Sequence, residues 1–102
     1  MYKWNPIDVL KQMGIIIHVN RLRKKISQQD LANEIELSIN HIGRIEKGEA
    51  NLTTANVIKI CNFLEINPML LFEKLSSVEL KNLQDEIITL KKEFKIRRKN
   101  YE

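Results

Sequence analysis

Residues 27–48 read SQQDLANEIELSINHIGRIEKG, and this stretch contains two helix-start signals on either side of a short turn. The hydroxyls of Ser27 and Ser38 can each accept a hydrogen bond from an unpaired backbone N–H in the first turn of a helix. Apolar residues at helical spacing follow both serines. The stretch therefore predicts two short capped helices joined by a tight turn.

Each of the two predicted helices has one apolar face. In the first helix this face consists of Leu31, Ala32 and Ile35, and in the second it consists of Ile42 and Ile45. The positions of the second helix that point away from these isoleucines are Ile39, Asn40, Gly43, Arg44 and Lys47. We expect the second helix to bury its apolar face and to present a largely polar face outward.

The segment SQQDLA at residues 27–32, the Leu37-Ser38 turn and the Glu46-Lys47-Gly48 ending resemble the Cro and phage-repressor type of helix-turn-helix domain, the XRE family. The resemblance extends from about Ile15 to Phe72 and includes NLTTANVIKICNFLEINPMLLF at residues 51–72. It implies an all-α fold, a five-helix lambda-repressor-like DNA-binding domain. In that family the third helix enters the major groove of DNA, commonly as a dimer on a pseudo-palindromic site.

Within this family, the NLT loop at residues 51–53 and the compact fourth and fifth helices resemble the controller proteins of restriction-modification systems. The resemblance implies a sequence-specific transcription regulator whose partner is double-stranded DNA. A homodimer of this kind acts by occupying an operator, where it blocks RNA polymerase or recruits it.

The resemblance assigns base reading to the outward face of the second helix of the motif. Ile39, Asn40 and Arg44 match the base-reading positions. Arg44 can pair with guanine and Asn40 with adenine, each worth about 1–3 kcal/mol of discrimination, whereas Ile39 would cover a thymine methyl. His41 suits either a phosphate or solvent. Gly43 either lets the helix approach DNA closely or is a tolerated loss of about 1 kcal/mol of helix stability. The alternative is that this whole face is an ordinary solvated helix surface with no role in binding.

Phosphate contacts are expected from both helix starts and from the loop after the motif. Gln28 matches the family's phosphate-clamping glutamine, at the positive end of its helix. The complete set of expected phosphate-contacting residues is Ser27, Gln28, Ser38, Lys47, Asn51, Thr53 and Thr54.

Other positions have structural roles in the family. Arg21 and Glu46 match residues that commonly form an ion pair between the first and third helices, so we expect Arg21 to be structural rather than DNA-reading. Lys25 and Glu36 occupy turn positions where glycine is common because a left-handed backbone is often needed there. Non-glycine residues adopt that conformation at a cost of about 1 kcal/mol or more.

The rest of the chain also predicts helix. Asn5-Pro6 starts a long first helix, which Gly14 interrupts, so that its first part could be a separate turn. Thr53 or Thr54 caps a fourth helix, and Asn67-Pro68 starts a fifth.

The last segment has an apolar stripe with 3-4-3-4 spacing, the pattern of a coiled-coil seam. The stripe consists of Leu80, Leu83, Ile87, Leu90 and Phe94. Glu86 and Glu93 at g positions face Lys91 and Arg98 at e positions in a parallel pair, which favours a parallel homodimer. The expected division is therefore a DNA-binding domain at residues 1–75 and an amphipathic dimerisation helix at residues 76–102.

Other uses of this helix remain open. The stripe could fold back onto its own domain. It could instead dock on a partner protein, which would make the chain an antitoxin-like adaptor that also binds DNA. Its basic end, Lys91 to Lys99, could give chiefly non-specific nucleic-acid binding.

Composition agrees with a small nucleic-acid-binding protein. The chain of 102 residues is 43% hydrophobic, enough for one modest core plus an appendage. Its 17 Lys and Arg exceed its 13 Asp and Glu, and the net charge of +4 favours anionic partners. The longest apolar run, Ile15 to Ile17, is far shorter than a membrane span, and no secretory signal is apparent. We expect a cytoplasmic protein with no membrane partner.

No pattern in the sequence indicates an enzyme. His18 and His41 lack partners at metal-ligand spacing. The lone Cys61 lies in a periodic apolar run, where a buried thiol is an ordinary core residue. We therefore expect neither catalysis nor a bound metal or cofactor.

Overall fold

The computed structural model describes the backbone of residues 3–101 and the side chains of residues 3–96. Its elements are α1 (Pro6–Arg23), α2 (Gln28–Ile35), α3 (Ile39–Glu46), α4 (Thr54–Leu64), a 3-10 helix (Pro68–Phe72) and α5 (Ser77–Tyr101). Within the described range there is no β-strand, and the predicted all-α fold class is confirmed. The predicted fifth helix is the short 3-10 helix, and α5 is the C-terminal segment that carries the apolar stripe.

Polar side chains cap the helices at the predicted starts. The capping residues are Asn5, Ser27, Ser38, Thr53 and Asn67. At α2 the cap is reciprocal, because the Asp30 N–H donates to Ser27 Oγ at 2.9 Å and the Ser27 N–H donates to Asp30 Oδ2 at 3.2 Å. Each cap satisfies a backbone donor that would otherwise lack a partner, an effect worth about 1 kcal/mol.

Left-handed residues end the first, second and fourth helices although none of them is glycine. Lys25 has φ of 61° and Glu36 has φ of 60°, as expected from the turn positions that they occupy. Glu65, after α4, has φ of 56° and was not foreseen. The left-handed backbone at each of these residues therefore lowers the free energy of unfolding by about 1 kcal/mol or more.

The apolar faces of α1 to α4 and the 3-10 helix converge on one core. The predicted faces of the motif are buried, with Leu31 and Ile42 at 0% exposure and Ile45 at 2%. Cys61 is also buried in this core, and burial raises the pKa of its thiol. The motif is thus held on a scaffold made by the remaining helices.

α1 is one continuous helix through Gly14, so the predicted interruption does not occur. Gly14 lies where α1 meets the end of α3, and a Cβ added there would be 2.6 Å from the carbonyl oxygens of Ile45 and Glu46. Gly48, with φ of +74°, similarly brings its backbone against Lys11 of α1. The glycine in α1 allows the two helices to approach closely rather than breaking the helix.

α5 packs along α1 and does not stand free. Ile87 is 8% exposed and forms a second buried cluster with Val19 and Leu22, against which Leu83 and Leu90 also pack. The structure therefore has the fold-back arrangement, which differs from the expected dimer seam. The physical reason is that α1 has a second apolar face, which the core of α1 to α4 leaves uncovered and which α5 covers.

The two end residues of the stripe, Leu80 and Phe94, also lie against the chain's own domain. Leu80 and Phe94 are both half-buried. Leu80 lines a cleft against the start of α1, and Phe94 lines a groove together with Leu22. The stripe residues thus lie against the chain's own domain rather than forming a free seam.

Polar contacts fix the position of α5. Arg23 Nε donates to Glu86 Oε2 at 2.6 Å and Arg23 Nη2 donates to Glu86 Oε1 at 2.7 Å, which lowers the pKa of the Glu86 carboxyl. The buried Gln12 amide nitrogen donates to the Glu73 carbonyl, and its oxygen accepts the Leu75 N–H at 3.2 Å. The expected partner charge at Arg98 and the basic end at Lys99 lie outside the residues whose side chains are described.

Alanine substitutions of the glycines in α1 and α3 should change the free energy of unfolding in opposite directions. Gly14→Ala should lower the free energy of unfolding by about 2 kcal/mol, because the added methyl overlaps the α3 carbonyl oxygens. Gly43→Ala should raise it by about 1 kcal/mol, because the nearest atom to its Cβ is Gln28 Nε2 at 4.0 Å and alanine favours helix. Urea unfolding of both variants measures the difference. Similar effects at the two positions would contradict the close crossing of α1 and α3.

Adjacent isoleucines of α5 test the packing of that helix. Ile87→Ala should lower the free energy of unfolding by about 2 kcal/mol, independently of protein concentration, because its side chain is buried within one chain. Ile88→Ala should change it by less than about 0.5 kcal/mol, because Ile88 is 55% exposed. Sedimentation at several concentrations accompanies the unfolding measurement. A loss of dimer mass in Ile87→Ala without a loss of monomer stability would show that the stripe pairs between chains.

Candidate nucleic-acid interface

The outward face of α3 consists of the residues that the sequence analysis singled out for base reading. Ile39 is 42% exposed, and Asn40 and Arg44 are exposed as well, whereas Ile42 on the opposite face is completely buried. His41 is half-buried. An exposed isoleucine among polar donors is suited to contact base edges, because it adds an apolar surface beside hydrogen-bonding groups.

Arg44 lies at the edge of this face. Its Nη2 donates to the Glu49 carbonyl oxygen at 3.3 Å, which ties the side chain to the loop after α3, while the residue as a whole stays exposed. Gly43 is half-buried, and a side chain there would have ordinary room. The fold therefore does not require glycine at position 43.

A buried carboxylate at the end of α3 connects three helices. Arg21 of α1 donates from Nε to Glu46 Oε2 at 2.6 Å and from Nη2 to Glu46 Oε1 at 3.1 Å. Arg21 is 4% exposed and Glu46 is 6% exposed. Arg21 Nη1 also donates to the Ile26 carbonyl at 2.8 Å, in the turn before α2. Arg21 and Glu46 thus form the ion pair that the resemblance implies. The Arg21 guanidinium is bonded inside the protein, to Glu46 and to the Ile26 carbonyl.

Gln28 is the third partner of this carboxylate. Its Nε2 donates to Glu46 Oε1 at 2.9 Å. Gln28 is also the first residue of α2, so its backbone N–H has no partner within the helix and lies at the positive end of the helix dipole. The position of Gln28 at the start of α2 was predicted from the sequence, but its bond to Glu46 was not. The sequence signal for this bond is a glutamine at the start of α2 together with a glutamate at the end of α3.

His18 lies against the same carboxylate, with its Nε2 3.7 Å from Glu46 Oε1. Burial lowers the pKa of His18, although the charge of Glu46 opposes this, and the nearby charges of Arg21 and Lys91 add to the lowering. The Nε2 atom is buried without a hydrogen-bond partner among the described residues. This histidine belongs to the packing of α1 against α3 and not to the outward face.

Apart from Gln28, whose side-chain amide donates to Glu46, the expected phosphate-contacting residues are of two kinds in the structure. The hydroxyls of Ser27, Ser38 and Thr53 accept backbone N–H groups in their caps, and each keeps its O–H for donation to a phosphate. The others, Lys47, Asn51 and Thr54, are exposed around the end of α3 and the start of α4. The caps and the exposed side chains together flank the outward face of α3.

Among residues 3–96 no group of three or more His, Cys, Asp or Glu side chains is arranged to hold a metal ion. None of the described helices is long and apolar enough to cross a membrane.

Comparison with known proteins gives the class of this chain. Residues 19–71, more than half of the sequence, match the helix-turn-helix family, and the chain belongs to that family. Its structure is similar to that of the restriction-modification controller protein C.AhdI from Aeromonas hydrophila, with a TM-score of 0.58 and 31% sequence identity. The match covers 64% of this chain and 97% of C.AhdI, so part of this chain has no counterpart there. Curated protein sequences give no significant match. These findings confirm the resemblance to XRE-type regulators and support a DNA-binding regulator.

Two glutamates that both pair with arginine should respond differently to neutralisation. Glu46→Gln should lower the free energy of unfolding by about 3 kcal/mol, because it leaves the buried Arg21 guanidinium without a counter-charge. Glu86→Gln should cost less than about 1 kcal/mol, because water surrounds much of its pair with Arg23. Urea unfolding at neutral pH measures both values. If the two variants were equally stable, Glu46 would not be the connection between α1, α2 and α3.

Proposed function

We propose that this protein is a sequence-specific transcription regulator that binds double-stranded DNA as a homodimer on a pseudo-palindromic operator. The observation that carries the proposal is the exposed outward face of α3, held on a capped helix-turn-helix scaffold in a chain of the helix-turn-helix family. The similarity to C.AhdI supports the narrower proposal that the regulated genes belong to a restriction-modification system.

α3 is the proposed recognition helix in the major groove. Arg44 donates two hydrogen bonds to a guanine, and Asn40 pairs with an adenine through its amide. Ile39 covers a thymine methyl group, and His41 contacts a neighbouring phosphate. The absence of a side chain at Gly43 lets the helix backbone approach the base edges closely.

The residues around α3 are proposed to set its register on the duplex. A phosphate is bound at the start of α2 by the backbone N–H of Gln28 and the hydroxyl of Ser27. The remaining contacts to the sugar-phosphate backbone come from Ser38, Lys47, Asn51, Thr53 and Thr54. Contacts of this kind provide affinity and orientation, while the side chains of α3 provide sequence preference.

The proposed homodimer uses exposed apolar side chains of α4 and the 3-10 helix. Ile58 is 43% exposed, Leu70 is 41% exposed, Phe72 is 47% exposed and Met69 is 69% exposed. α4 and the 3-10 helix contact each other, and exposed large apolar side chains on neighbouring elements are typical of an interaction surface. A two-fold dimer places two copies of α3 about 34 Å apart, one turn of DNA. RNA polymerase is then blocked or recruited according to where the operator lies.

The adaptor alternative requires an unoccupied apolar stripe on α5 for a partner protein. Ile87, at the centre of that stripe, is buried against Val19 and Leu22 of the same chain. We therefore propose DNA regulation alone.

Selection of bound fragments from a random-sequence DNA pool, at physiological salt, tests the proposal. The expected result is an inverted repeat whose half-sites are about 10 base pairs apart, or a multiple of that spacing. Recovery of fragments with no shared sequence would overturn it.

Two basic residues at the end of α3 should have different effects on the selected operator. Arg44→Ala should weaken operator binding by about 1–3 kcal/mol and relax selectivity at one base pair, because it loses a contact to a base. Lys47→Ala should weaken binding to operator and random DNA alike and lower the salt slope by about one, because it loses a phosphate contact. Fluorescence anisotropy on operator and single-base variants separates the two. Equal losses on every sequence for Arg44→Ala would contradict its role.

A further inference from the structure

α5 runs in the same direction as α1 and extends past its end. Leu80 lies in a cleft with Asp8 and Gln12 near the start of α1, whereas Glu86 pairs with Arg23, the last residue of α1. α5 has 25 residues and α1 has 18. At Lys91, Phe94 and Lys95, α5 borders a groove that Ser27 and Gln28 at the start of α2 also line.

A groove separates this part of α5 from the proposed DNA-binding face. On one side it is lined by Ser27 and Gln28 at the start of α2 and by Ile39 at the start of α3. On the other side it is lined by Lys91 and Lys95 of α5. The groove is thus continuous with the residues proposed to bind phosphate and bases.

Among the described residues that line it, the groove has two lysines, Lys91 and Lys95, against the single unpaired carboxylate of Asp30. Among its lining residues, Arg21 is paired with the buried Glu46, and the carboxylate of Asp30 accepts the Ser27 N–H in the α2 cap. Lys91 and Lys95 are both exposed and lie four residues apart, so they share one face of α5. Two lysines beside the positive end of a helix attract an anionic backbone.

We propose that Lys91 and Lys95 bind phosphates of the DNA strand that flanks the half-site read by α3, and so make α5 a second backbone contact. The proposal rests on the proposed DNA-binding function and extends its footprint. The double-stranded backbone is favoured as the ligand because one wall of the groove consists of residues of the DNA-binding face. These contacts add affinity without sequence preference.

The chain offers a control matched in charge. Lys91→Ala with Lys95→Ala removes both groove lysines. Lys74→Ala with Lys92→Ala removes two exposed lysines that are not among the lining residues of the groove, one of them on α5 itself. Affinity is measured for the full chain on the selected operator and on a random duplex over a range of salt concentrations.

The groove variant should lose about tenfold in affinity on both duplexes at physiological salt. The slope of log affinity against log salt should become shallower by about 0.9 for each lost phosphate contact. The control variant should keep the slope of the natural chain. The conservative variant, Lys91→Arg with Lys95→Arg, should also keep it, since arginine retains the charge.

A second measurement locates the contact. Removal of base pairs that flank the half-sites should weaken binding by the natural chain and leave the groove variant unaffected. The proposal is overturned if the groove variant and the control variant have the same salt slope. It is equally overturned if the groove variant binds more tightly, because α5 would then obstruct DNA. Absence of any sequence preference in the natural chain would instead overturn the proposed function, while the difference in salt slope on random DNA would still be measurable.

Discussion

The buried carboxylate of Glu46 is the constraint on which the arrangement of the motif depends. It lies at the end of α3 and accepts hydrogen bonds from Arg21 of α1 and Gln28 of α2. A buried charge is tolerated only when its partners satisfy it, so the three helices must keep the spacing that these bonds require. The close approach of α1 and α3 at Gly14 also restricts the spacing of these two helices. The start of α2 and the outward face of α3 are therefore held in a fixed relation, as simultaneous contact with phosphate and bases demands.

Local physical chemistry made much of the fold predictable from the sequence. Ser27, Ser38 and Thr53 cap helices because a hydroxyl at that position satisfies a free N–H, whatever the tertiary surroundings. The burial of Leu31 and Ile42 follows from helical spacing alone. The pairing of Arg21 with Glu46 came from the family resemblance. Neither composition nor spacing would have connected two residues so distant along the chain.

Tertiary packing determines two features that the sequence pattern left ambiguous, the partner of the α5 stripe and the role of Gly14. The spacing of Leu83, Ile87 and Leu90 suits a partner helix of any origin, and the periodicity alone does not say whether that partner is α1 or a second chain. The apolar face of α1 with Val19 and Leu22 settles the matter in this structure, because α5 covers it within the same molecule. Gly14 was similarly ambiguous, since a glycine in a helical pattern marks either a break or a close crossing. The added helix places Lys91 and Lys95 beside the start of α2.

The outward face of α3 and the start of α2 are the proposed DNA-binding surface. The most direct measurement is a heteronuclear NMR titration of the protein with its selected operator duplex, which follows the backbone amide resonances. We predict the largest shifts at Gln28, Ile39, Asn40 and Arg44. Shifts confined to α4 and the 3-10 helix, with these four resonances unchanged, would show that DNA is bound elsewhere on the protein.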